Sequence, residues 1–111
     1  MHKVKTFTEK PTLDMARTFA GRVLEDAGAD AEAVIERAYR LSLGRPPDSD
    51  ERNLALGFLN KQAIMLRPRL GDKNAPALPL GGPYVIDRAY AAAIVDLCHS
   101  LLNLNQFLYV D

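Results

Sequence analysis

From Tyr90 onward the large apolar residues step by 4, 3, 4, 3 and 4 positions, through Ile94, Leu97, Leu101 and Leu104 to Leu108. An α-helix gathers such a series on one side, and the alternation suits a helix packed at a shallow angle against others. A seam of this length needs partners. The rest of the chain is expected to supply them as helices.

Three upstream segments meet that expectation. The first is predicted from about Leu13 to Ala27, with Ala16, Phe19, Ala20, Val23 and Ala27 on one face. Thr12 is placed to cap its N-terminus, Asp14 suits the positive end of the helix dipole, and Gly28 suits a left-handed C-terminal residue. The second is predicted after Asp30 as N-cap, ending at Leu43 before Gly44. It buries Ala31, Val34, Ile35, Ala38 and Leu41 and carries a Glu36–Arg40 pair outside. Arg45-Pro46-Pro47 then forbids continuation.

Asp48 and Glu51 form a capping-box signature for a third helix reaching about Leu66. Its apolar residues (Leu54, Ala55, Phe58, Leu59, Ile64, Met65 and Leu66) occupy more than one face. That breadth predicts a central helix flanked on two sides. Residues 67–87 then lose all periodicity and carry Pro68, Pro76, Pro79 and Pro83 with Gly71, Gly81 and Gly82. This reads as a long loop, either a tolerated surface insertion or a functional one.

A chain of 111 residues supports a single hydrophobic core. The expected fold class is therefore all-α: a four-helix bundle-like array with a long Pro/Gly-rich loop before the last helix. A flexible tail at 1–12 precedes one helical domain at 13–111. The terminal Phe107–Val110 residues are expected to dock on the core rather than fray.

Charge narrows the function. Lys+Arg and Asp+Glu number 14 each, and no third of the chain departs from neutrality by more than one charge. A nucleic-acid partner would call for a concentrated basic face, so none is expected. The lone Cys98 forms no internal disulfide, which fits a reducing compartment without excluding export. No apolar run reaches the roughly 20 residues of a membrane span. The N-terminus lacks the apolar stretch of a signal peptide, so export requires a longer precursor.

Catalytic chemistry finds little support. Asp96 and His99 share a helix face, but Cys98 sits about 100° away from His99, which argues against a metal cluster or a nucleophile pair. Cys98 reads as a small core residue, and His99 as one facing solvent or capping a neighbour. No nucleophile elbow, phosphate-binding loop or haem-attachment motif is present. Asp48, Asp50 and Glu51 are explained by a helix start. The chain is read as a non-enzyme without cofactor or metal.

What remains is an interaction surface. Tyr39 lies about 100° round from Ala38, so its ring is expected to straddle core and solvent. Arg40 and Arg45 flank the same turn, with Arg45 in reach of helix-end carbonyls or a carboxylate such as Asp48. Arg67, Arg69 and Lys73 are the candidate contacts of the long loop. Asn103 and Asn105 are read as caps of the last helix.

Two segments carry a resemblance. RAYRLSLGRPPD at 37–48, followed by Glu51, and DLCHSLLNLNQFLYVD at 96–111 resemble the C-terminal region of a family of planctomycete multi-domain proteins of unknown function. Those proteins also carry a planctomycete-type cytochrome c domain. The stretch from Ala16 to Ile35, with its Ala27-Gly-Ala-Asp30, fits the same region. Gln106 and Ile94 depart from the family, which usually has Glu and often Trp there. The resemblance implies an excised C-terminal domain or a stand-alone relative, and no haem or redox activity carries over. A looser similarity links Tyr39, Arg40, Leu43, Gly44, Arg45, Pro47 and Asp48 to phycobilisome-linker-like helical modules, which serve assembly. The expected function is a protein–protein or inter-domain interaction module. The alternative is one wall of a polysaccharide or cell-envelope ligand site in a larger protein, lined by Arg67, Arg69 and Lys73.

Overall fold

A computed structural model describes residues 10–81 and 86–108 of the chain. Four helices follow in order: α1 (Leu13–Ala27), α2 (Ala31–Leu43), α3 (Ser49–Leu66) and α4 (Arg88–Leu108). No strand occurs among the described residues. The fold is all-α, as the apolar periodicity predicts.

Each helix start is built by the side chain that the sequence places there. Thr12 Oγ1 accepts from the Met15 amide at 3.1 Å, and Asp30 Oδ2 from that of Ala33 at 3.0 Å. Asp48 Oδ1 accepts from the Glu51 amide at 2.8 Å, while Glu51 Oε1 accepts from the Asp48 amide at 2.9 Å. That reciprocal pair satisfies donors which the first helical turn leaves orphaned. At the end of α2, Gly44 takes φ 75° and ψ 13°, the left-handed conformation costly for a residue with a Cβ. Gly28 also has positive φ (76°), but its ψ of −153° lies outside the left-handed helical region.

The expectation that α3 is the central helix is overturned. The centre is α4, which packs against α1, α2 and α3. Ala89 and every residue from Ala91 to Val95 are buried, as are Leu97 and Cys98, so the first half of α4 is enclosed on nearly all sides, while Ser100, Asn103 and Leu104 are exposed further along. Its alanines make this possible, because small side chains let three helices approach one axis. The 4-3 seam remains legible within it: Ile94, Leu97 and Leu101 are buried, while Leu104 is 42% exposed.

α3 instead lies at the edge. It buries Ala55, Leu59, Ala63 and Leu66 and half-buries Phe58, but leaves Leu54, Ile64 and Met65 exposed at 74%, 67% and 64%. Its second apolar face therefore meets no other part of the described chain.

The loop after α3 is fastened down. It opens with a single 3-10 turn at Arg67–Arg69. Leu70, Ala77 and Ile86 then pack on the core, and Pro79 is buried. Arg17 of α1 holds it twice: its Nε donates to the Leu78 carbonyl at 2.8 Å, and its own carbonyl accepts from the Leu80 amide at 3.1 Å. The path from α3 to α4 thus runs across α1 as packed structure. Residues 82–85 lie outside the described residues.

Of the expected tail at 1–12, residues 1–9, including His2, lie outside the described residues. Pro11 and Thr12 are held, by His99 and by the cap of α1. The expected docking of Phe107–Val110 falls beyond the described side chains.

Gly57 sits in the middle of α3, where a Cβ would meet nothing within 4 Å. Glycine in a helix interior costs about 1 kcal/mol relative to alanine. Gly57→Ala is expected to raise unfolding stability by about that amount, measured by urea denaturation at low protein concentration. A destabilised variant would show that something unseen occupies this face.

Candidate functional site

The turn between α2 and α3 gathers the residues that sequence reasoning singled out, and it spends their charge internally. Arg45 reaches Glu51 through two parallel hydrogen bonds, Nη1 to Oε1 at 2.7 Å and Nη2 to Oε2 at 2.9 Å. Nη1 also donates to the Pro46 carbonyl at 3.1 Å. Of the expected partners, helix-end carbonyls or a carboxylate such as Asp48, it is a carboxylate that Arg45 finds, but that of Glu51 rather than Asp48. The Arg45 bonds first, and the Asp48 amide second, hold the Glu51 carboxyl down to about 2.

Tyr39 does not straddle core and solvent: it is 8% exposed and belongs to the core cluster. Burial first, then the Glu51 carboxylate, push its hydroxyl above the ordinary tyrosine value. Arg40 is exposed and paired with Glu36 at 3.0 Å, as its spacing predicts. Across the domain, Arg67 pairs with Asp87 and Arg69 Nη2 donates to the Asn74 carbonyl at 3.3 Å. These arginines brace the loop from α3 to α4. Lys73 is exposed and has no partner among the described residues.

The tempting cluster on α4 comes apart. Asp96 accepts from Gln62 Nε2 on α3 at 2.9 Å. His99 Nε2 donates to the Pro11 carbonyl at 3.0 Å, an assignment fixed by the carbonyl's being only an acceptor. Cys98 is fully buried, and burial pushes its thiol up to about 12. Among the described residues no three His, Cys, Asp or Glu side chains gather to hold a metal ion, and no helix is long and apolar enough to cross a membrane. Asn103 bonds back to the His99 carbonyl, whereas Asn105 reaches across to the Ser42 carbonyl at the end of α2. The latter is an inter-helix tie rather than the expected cap.

One concave feature of the surface was not foreseen. An open groove of about 500 Å³ runs between α1 and the C-terminal ends of α2 and α4. Its apolar lining is Met15 and Phe19 of α1, Leu41 of α2 and Leu102 of α4. Asp14 and Arg22 are the first and last α1 residues of its lining, eight residues apart, or about 12 Å along the helix. Each is in a surface ion pair within α1 at more than hydrogen-bond distance: Arg17 stands 3.6 Å from Asp14, and Asp26 stands 3.8 Å from Arg22. The signal in the sequence was Met15 and Leu102, apolar residues lying off the stripes of their helices.

No family model, curated protein or solved structure matches the chain.

Two outcomes follow from this chemistry. Glu51→Gln removes a carboxylate whose folded-state value is lowered from 4.5 to about 2. Its contribution is present above about 4.5 and is lost as pH falls through about 2. The variant is expected to be less stable at pH 7 by at most about 1 kcal/mol, since solvent screens so exposed a pair, with the difference closing across that window in pH-resolved denaturation. The Cys98 thiol is expected to resist iodoacetamide in the native chain at pH 8 and to alkylate once urea unfolds it. Rapid native labelling would contradict the packing of α4.

Proposed function

We propose that this domain is a non-catalytic interaction module, and that its working surface is the groove between α1, α2 and α4. The observation that carries the reading is an open apolar groove with exposed Met15 on its wall and opposite charges, each in a surface ion pair, at the two limits of its lining along α1. Exposed apolar surface gains by being covered, and charges at fixed spacing set the direction in which a partner lies. The occupant is an amphipathic helix of another protein or domain. It presents two or three apolar side chains to Met15, Phe19, Leu41 and Leu102, a basic residue towards Asp14 and an acidic one towards Arg22.

Placing the domain at the end of a longer multi-domain protein, as the resemblance of residues 37–48 and 96–111 implies, suits this role. A groove of this kind docks one domain onto another. The helix-two turn supports it less well, since Tyr39 is buried and Arg45 is engaged by Glu51. The polysaccharide or cell-envelope wall has less support still, because Arg67 and Arg69 are engaged in bracing the loop.

The test is selection of helical peptides against the immobilised chain, followed by chemical-shift mapping of the hits. Selected peptides are expected to share an apolar stripe with a base and an acid about two turns apart, and to perturb Met15, Phe19, Leu41 and Leu102. Met15→Glu is expected to weaken them at least tenfold, or by about 1.4 kcal/mol, with the circular dichroism of the chain unchanged. Peptides that bind elsewhere, or indifferently to Met15→Glu, would remove the groove from the reading.

A further inference from the structure

The outer face of α3 is an exposed apolar surface that the fold and the groove leave unused. Asp50, Leu54, Gly57, Lys61 and Ile64 follow one another by 4, 3, 4 and 3 residues, so they fall within about 80° of each other around the helix. Leu54 and Ile64 are among the most exposed large apolar residues described. Asp50 and Lys61 have no ion pair or hydrogen bond among the described residues, and they lie about 16 Å apart, too far to pair with each other. No α3 residue lines the groove.

This stripe is complementary to itself. The midpoint between Ala55 and Leu56 relates Asp50 to Lys61 and also Leu54 to Gly57. Two copies of α3 laid antiparallel about that point set Asp50 of each against Lys61 of the other. The same placement seats each Leu54 over the opposite Gly57, where a Cβ finds open space within the chain. The absent side chain lets the leucine and the partner helix approach closely. A mid-helix glycine with no reason for its presence inside the chain acquires one. We propose that the protein forms a two-fold symmetric homodimer through α3, with Leu54 packed on Gly57 and Asp50 paired with Lys61 across the axis.

The contact is isologous, so it closes at two copies. One helix face about 27 Å long buries less than a large obligate interface, so the dimer dissociates on dilution. The expected stoichiometry is read by sedimentation velocity on the full chain, from low micromolar to about 1 mM.

Charge reversal provides the decisive comparison. Lys61→Glu sets like charges against each other twice across the axis, and is expected to raise the dimer dissociation constant roughly tenfold. Asp50→Lys combined with Lys61→Glu restores opposite charges and is expected to recover dimerisation. Gly57→Ala is expected to weaken the dimer while leaving the monomer folded, which separates assembly from folding. A monomer at every concentration overturns the proposal and assigns the face to a different protein or domain. A dimer indifferent to Gly57→Ala, or one that the double reversal fails to restore, overturns the antiparallel pairing.

Discussion

Enclosure of α4 is the constraint on which the rest of the molecule depends. The first half of α4, buried on nearly all sides, has little solvent face to carry polar residues, and Ala89 and Ala91–Ala93 supply small, apolar positions instead. Small residues bring the neighbouring helices close, so the core is thin and each of α1, α2 and α3 contributes one stripe to it. The consequences reach the connections. With α4 central, the chain leaving α3 at the edge must travel round to enter it. The long segment after Leu66 makes that journey over α1, held by Arg17.

Side-chain polarity has largely been turned inward to fix the joints between these helices. Arg45 and Glu51 close the turn from α2 to α3, Arg67 and Asp87 close the entry to α4, and Gln62 bridges to Asp96. His99 secures the chain before α1, and Asn105 ties α4 to the end of α2. A residue that satisfies a backbone carbonyl or a neighbouring carboxylate is engaged in holding geometry and is less free to recognise a partner. This is why most arginines that look like recognition residues in the sequence turn out to be braces. The surfaces left for recognition are the ones these braces frame: the groove beside α1 and the outer face of α3. The two differ in kind, the first being concave with charges at the limits of its lining along α1, and the second a flat helical stripe with a gap at Gly57.

Much of the secondary structure could be read directly. Caps and stops are local chemistry, so Thr12, Asp30, Asp48 and Gly44 declare the helix limits within a residue or so of where they fall. The buried stripes of α1 and α2 follow from 3.6-residue periodicity for the same reason. The candidate site was legible only in part. Arg45 was recognisable as a residue of the turn, but its choice of Glu51 over Asp48 depends on how the folded turn aims both Glu51 oxygens at the guanidinium. The groove was not legible, since it is a space between α1, α2 and α4, and no single helix contains it.

What the sequence by itself determined is the number of helices, their ends, and one buried face of each, because hydrogen bonds to caps and helical periodicity act over a few residues. Which helix is central was decided only by tertiary structure. Two segments competed for that place: α3, with large apolar residues on two faces, and α4, with a run of alanines ahead of its leucine seam. The spread of large side chains around the helix favoured α3, although α4 is the more apolar of the two. Packing favoured α4, because three helices surround one axis only where the side chains between them are small. The leucine and isoleucine that made α3 look like a core helix were thereby left facing outward.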